Sequence, residues 1–282
     1  MIDFVIMSAP KGVRYPVSFT PTQWITGSIR ASVRLPLIVL FLLIPWVLSL
    51  SLLPLKFLSY RKWTAIRRPV LSGCAWCMIR ILGVRLTSLG DKPSVPFFLV
   101  ANHMSWLDGP VFMAAVGAVF MVKHEIRTWP LIGSLMNSMG SIFIDKKNLK
   151  DLPFMIDRVQ EVLGRGDGFM VFPEADTADG EREKICPFRP AMFQVPIQLD
   201  IPVHRAAIHY RTPPDWPPAS RVVAWADWTP ILVHAMRMLM VPSIHCVIRF
   251  LPPEDACPDR KEEAGKTQQL ILHELELLRT RD

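Results

Sequence analysis

The chain has 282 residues, half of them hydrophobic, and carries a formal net charge of +7. That length allows one sizeable core with appendages, and a mean hydropathy of +0.26 is high for an enzyme free in water. No nucleic-acid-binding motif accompanies the positive charge, which therefore points to a membrane surface or an acidic partner rather than to nucleic acid. Five cysteines, an odd number, argue against a disulfide framework.

Residues 1–23 read as a mixed, Pro-containing lead, and residues 24–60 as a membrane-embedded helical segment. Leu35 to Leu55 is apolar apart from Ser49 and Ser51, and about twenty such residues match a bilayer core. Pro36, Pro45 and Pro54 interrupt it, so the segment is either one kinked span or a re-entrant helical pair. Arg30 and Arg34 precede it, whereas Lys56, Arg61, Lys62, Arg67 and Arg68 follow. This bias places the following domain, residues 61–258, on the cytoplasmic face of the cell inner membrane. The same cluster suits anionic headgroups.

Arg61 to Val84 reads as a helix. It holds Cys74-Ala75-Trp76-Cys77, which has redox or zinc spacing but no second ligand pair at a usual distance. We read these cysteines as packing residues and expect no metal site. Pro96 to Ala101 reads as a buried strand, and the polar stretch Asn102-His103-Met104-Ser105-Trp106-Leu107-Asp108 follows it. A His leaving a strand end is a candidate general base, and an Asp five residues on, in the first turn of the next helix, is its candidate orienting partner. Helices are expected over 109–118 and 131–139. A strand over 140–147 ends in Lys146-Lys147, and a helix covers 151–165. Gly168 to Glu174 reads as another buried strand, ending Phe172-Pro173-Glu174. A helix over 190–199 follows Arg189, and then comes a strand over 201–208. After a Pro-rich break, strands are expected over 221–226 and 243–251, flanking an amphipathic or membrane-contacting helix over 229–241. A charged helix closes the chain over 259–282. Strands alternating with helices give an α/β fold: a mixed, partly parallel sheet flanked by helices, with the N-terminal membrane-embedded helical segment attached.

This ordered set of blocks resembles the glycerolipid acyltransferases, of which lysophosphatidic acid acyltransferases are the best known. Asn102, His103 and Asp108 match the family's Asn-His-x4-Asp block. Phe143 to Lys147 matches a strand ending in a basic residue, Phe172-Pro173-Glu174 matches Phe-Pro-Glu-Gly, and Ile201 to Ile208 matches a hydrophobic fourth block loosely. The resemblance implies acyl transfer from a thioester, carried by acyl carrier protein or coenzyme A, to the hydroxyl of a lyso-lipid. It implies no further cofactor. His103 and Asp108 would be catalytic. Asn102, Lys146, Lys147, Phe172, Pro173, Glu174 and Arg189 would meet substrate, the alternative for Glu174 being to order its loop through backbone hydrogen bonds.

Phe-Pro-Glu continues in the family as Gly-Thr-Arg, and here as Ala175-Asp176-Thr177-Ala178-Asp179-Gly180. The Gly and the Arg are both missing; an Arg forks onto phosphate, whereas the two acids nearby repel it. The acceptor is therefore either lysophosphatidic acid, held by other cations, or another lyso-lipid such as lyso-ornithine lipid. A non-catalytic lipid-binding relative is a further alternative. A Ser105 nucleophile lacks the Gly-x-Ser-x-Gly elbow, and Ser105 reads better as a helix N-cap.

Overall fold

The computed structural model describes residues 17–144, 152–174, 185–225 and 229–280. Seven strands among them form one sheet: β1 (Val84–Leu89), β2 (Phe98–Ala101), β3 (Val119–Lys123), β4 (Ile142–Ile144), β5 (Phe169–Val171), β6 (Val203–Arg211) and β7 (Ile244–Glu254). Their order across the sheet is β1-β7-β6-β2-β5-β3-β4. Every neighbouring pair is parallel except β6 and β7. β2 and β5 are apolar at every position and fully buried, as befits parallel strands covered on both faces.

One face carries α3 (Tyr60–Ile81) and α4 (Asp108–Val116), together with α1 (Pro21–Ser51) and α9 (Ile231–Met240). The other carries α6 (Leu152–Gly164), α7 (Gln194–Leu199) and α10 (Arg260–Thr280). α3 shows why a helix forms and where it docks. Trp63, Arg67, Leu71, Ala75 and Ile79 recur every fourth residue and are all buried, which makes one continuous stripe. Arg67 can sit in that stripe because its guanidinium lies 4.3 Å from the Trp63 ring centroid and 2.7 Å from the buried Asp167 carboxylate. On the opposite face, Arg205 of β6 donates to Glu263 at 2.6 Å and to Thr267 at 2.9 Å, tying α10 to the sheet.

α1 starts with a capping box between Thr20 and Gln23, continues through Pro36 and Pro45, and is followed by α2 (Leu53–Leu58). The domain grips it along its length. Gln23 donates to the carbonyl of Asp215, and Arg30 to that of Met240. Arg34 donates to the carbonyls of Leu239, Val241 and Pro242, and Trp46 donates to Ser134 at 3.0 Å. Its outward face bears the exposed residues Ile25, Ile29, Val33, Leu40, Leu43 and Val47.

Several elements differ from expectation. The apolar run after Pro218 makes a four-residue helix, α8 (Ala219–Val222), in place of a strand. Both edges of β6 are already taken by β2 and β7, so that run has no partner strand and buries Val222 and Val223 in the core instead. The helix over 190–199 is divided into a 3-10 turn over Pro190–Phe193 and then α7. β1 and β3 were not expected. α5 (Ile132–Ser138) occupies the helix expected over 131–139. Arg67 and Arg68, counted above as membrane-side charges, are used internally, Arg67 on Asp167 and Arg68 on the carbonyl of Gly166.

Candidate active site

The parallel pairing of β2 with β5 sets Val100 opposite Val171, so the segments beginning at Asn102 and Phe172 leave the sheet side by side. This is the carboxyl edge, where α/β sheets place ligands. Asn102 is fully buried. Its carboxamide donates to the carbonyl of Ile208 at 3.0 Å and accepts that residue's N–H at 2.8 Å. The side chain thus stitches the chain leaving β2 to β6, and neither of its ends faces outward.

His103 is held on three sides. Its backbone N–H donates to Glu174 Oε1 at 2.7 Å. Its ring stacks on Phe172, with centroids 4.2 Å apart and planes 13° from parallel. Its Nδ1 lies 2.8 Å from Asp108 Oδ2. Asp108 is the first residue of α4 and is fully buried. Oδ2 also accepts the N–H groups of Met104 at 2.7 Å and Ser105 at 2.9 Å, and Oδ1 accepts the Tyr210 hydroxyl at 2.6 Å. An ionised carboxylate only accepts, so Nδ1 carries the ring proton and Nε2 the free lone pair. The His103 side chain is 22% exposed and that of Asp108 is 0% exposed, so the base is reachable and its partner is not.

Glu174 is buried, and its second oxygen accepts the Cys186 N–H at 2.6 Å. Both carboxyl oxygens are therefore spent on backbone, one on each of two loops, which is the loop-ordering arrangement. Burial pushes this carboxyl up to about 8, opposed by the N–H groups of His103 and Cys186 and reinforced by the charge of Asp108. Pro173 is buried beside it and accepts the backbone N–H of Arg189 at 3.0 Å. That bond lays the Arg189 segment against the end of β5. Lys146 and Lys147 lie outside the described residues.

Ser105 does not cap α4. The N-cap is Leu107, and the buried Ser105 hydroxyl accepts the Leu107 N–H at 3.3 Å. The Asp108 carboxylate turns back to take the N–H groups of Met104 and Ser105. Two groups missed in the sequence complete the setting. Tyr210 reaches Asp108 from β6. Trp106 donates to His234 Nδ1 at 3.1 Å, which anchors the His103 loop to α9. Both contacts join residues more than a hundred positions apart, and no local pattern signals them. Among the described residues no three His, Cys, Asp or Glu side chains converge as a metal site.

A family model described as Acyltransferase matches residues 84–209. The lyso-ornithine lipid O-acyltransferase of Pseudomonas aeruginosa is 32% identical over 183 residues, 64% of this chain and 69% of that protein. The chain belongs to the acyltransferase family. A 1-acyl-sn-glycerol-3-phosphate acyltransferase of Neisseria gonorrhoeae is 35% identical over 112 residues, 40% of this chain and 43% of that relative. Among solved structures, the 1-acyl-sn-glycerophosphate acyltransferase of Thermotoga maritima superposes with a TM-score of 0.65 at 18% identity, covering 88% of this chain and 98% of that one. This acyltransferase therefore shares its mixed, mostly parallel sheet with that enzyme. The matched residues contain both strand ends described above, so the His103 loop and the Phe172-Pro173-Glu174 turn lie within the family region.

Proposed function

We propose that this acyltransferase moves a fatty acyl group from a thioester to the hydroxyl of a lyso-lipid, with His103 as general base and Asp108 as its orienting partner. The observation that carries the reading is the His103 Nδ1–Asp108 Oδ2 contact of 2.8 Å, with the ring partly exposed and the carboxylate buried. His103 Nε2 takes the proton of the acceptor hydroxyl as its oxygen bonds to the thioester carbon. The C–S bond then breaks, and the departing sulfur takes that proton back from the imidazolium. The thioester is already activated, so no covalent acyl-enzyme is required. Asn102 and Glu174 act by holding the loop in place, while Phe172 keeps the imidazole in plane. Arg189, laid beside Pro173, meets the anionic part of a substrate.

The acceptor we favour is lyso-ornithine lipid. Thr177 stands where the family carries an Arg, and Asp176 and Asp179 lie nearby in the sequence. Acids there suit a headgroup bearing an ammonium better than a bare phosphate monoester. The Pseudomonas relative of that name, matched over 69% of its length, supports the choice. The acyl donor is acyl carrier protein or coenzyme A, met on the cytoplasmic face of the inner membrane. α1 lies against the domain with its apolar stripe outward, and Leu232 and Val233 of α9 are exposed next to it. We place both faces in the lipid surface. Offering purified enzyme equal amounts of lyso-ornithine lipid and lysophosphatidic acid tests the acceptor. Preferential acylation of lyso-ornithine lipid supports this reading, and preferential formation of phosphatidic acid overturns it.

A further inference from the structure

The two oxygens of Asp108 are served from different places. Oδ2 takes three N–H groups, all from its own loop: His103 Nδ1 and the backbones of Met104 and Ser105. Oδ1 takes one bond only among those described, from the hydroxyl of Tyr210 on β6. That contact is 2.6 Å, within the short range of an O–H donor on a charged acceptor. Tyr210 is 2% exposed and Asp108 is 0% exposed, so no solvent replaces the bond if it is lost. Tyr210 stands one residue before the end of β6 and pairs in the ladder with Cys246 of β7, whose buried thiol also hydrogen-bonds the phenol. Burial, then the Asp108 charge, pushes the phenol well above its usual value, so it remains a donor across the working pH range.

We propose that Tyr210 is a positioning residue for the reaction, fixing the Asp108 carboxylate on the rigid sheet and setting how strongly Asp108 holds the proton on His103. This rests on the His103–Asp108 reading above. A donor on Oδ1 withdraws charge from the carboxylate. Without it, Oδ2 becomes the stronger acceptor, the imidazolium is better stabilised, and His103 gives up its proton only at higher pH. Two consequences are separable. The acid limb of the kcat/KM profile moves upward in pH when the hydroxyl is removed. Turnover falls because the carboxylate is no longer fixed, while binding of the lyso-lipid is unaffected, since Tyr210 touches no outward-facing surface.

The test uses the full-length protein in detergent micelles with lyso-lipid and acyl thioester. His103→Ala is measured first. If it retains turnover, the dyad reading fails and the Tyr210 proposal fails with it. If it is inactive, Tyr210→Phe is measured from pH 5 to 9. The expected result is a 10- to 100-fold lower kcat, in the range seen when a partner of a catalytic group is removed, with KM changed less than twofold and the acid limb displaced upward. A purely structural role predicts lower yield of folded protein with an unshifted limb, and that outcome overturns the proposal. Should Tyr210→Phe fail to fold, 3-fluorotyrosine can replace the three tyrosines of the chain. It is near-isosteric, and its more acidic hydroxyl is a stronger donor, so the limb is expected to move to lower pH. An unmoved limb in that protein overturns the proposal as well.

Discussion

Asp108 makes the site through the number of donors it collects. A carboxylate with one hydrogen bond can rotate away from the imidazole, whereas one with donors on both oxygens presents a fixed acceptor to Nδ1. His103→Ala is expected to lower kcat by about 10²- to 10⁴-fold, with lyso-lipid binding retained in equilibrium titration. Asp108→Asn should approach the same loss, because a carboxamide can offer an N–H to Nδ1 and so favour the wrong tautomer. Glu174 gives a pH signature. Its value of about 8 in the folded chain lies above the ordinary 4.5. Between those limits the folded state keeps a proton that the unfolded chain has lost, so stability falls as pH rises through the window and levels off above it. The thermal midpoint of the wild type should therefore decline between pH 5 and 8, and that of Glu174→Gln should stay flatter. A parallel decline in both proteins would contradict the assignment.

The elements around the dyad explain why it is preorganised. The loop from Asn102 to Asp108 is fastened to β6 by Asn102, to the end of β5 by Glu174, and to α9 by Trp106. Asn102→Ala removes two buried hydrogen bonds and leaves the Ile208 groups unpaired, a loss of about 1–3 kcal/mol measurable by denaturant unfolding in detergent. Leu71→Ala, in the centre of the α3 stripe, should cost about 2–5 kcal/mol while leaving the KM of any folded enzyme unchanged. Much of this level was legible in the sequence. The turn His, the helix-leading Asp and the buried strands before His103 and before Glu174 follow from short apolar runs ended by polar residues, and the four blocks in order carried the resemblance. β3 is legible in the same way, since Val119 to Val122 is an apolar run after Gly117. The run at 221–226 misled because a short apolar stretch reads alike as strand and as buried helix, and only the occupied edges of β6 decide. Tyr210 and His234 were beyond reach, because their partners are brought near by sheet order and helix packing alone.

At the scale of the molecule, the antiparallel pairing of β6 with β7 sets the topology. It puts the amino ends of β1 and β7 at the same edge as the carboxyl ends of β2, β5 and β6. Arg30 and Arg34 of α1, fastened to the carbonyls of residues 239–242 just before β7, therefore anchor that helix at the edge from which the His103 loop leaves. An apolar stripe anchored there suits the proposed acceptor, a membrane lyso-lipid. The sequence showed the apolar segment and its length. It did not show that one face is committed to the domain, because the gripping carbonyls lie some two hundred residues away. Replacing Ile29, Leu40 and Val47 with glutamine should release protein from vesicles, measured by flotation, with turnover on micellar substrate reduced less than threefold. Opposite α1, the Arg205–Glu263 pair closes the core against α10. Arg205→Ala leaves a buried carboxylate unpaired and should cost about 3–5 kcal/mol.

The most direct test of the central claim is single-turnover acyl transfer by wild type and His103→Ala, with lyso-lipid binding measured on the same preparations. We predict rapid transfer by the wild type, and none by the variant on the same timescale at equal lyso-lipid occupancy. Transfer by His103→Ala at a rate within tenfold of the wild type would contradict the account, because another group would then be taking the proton.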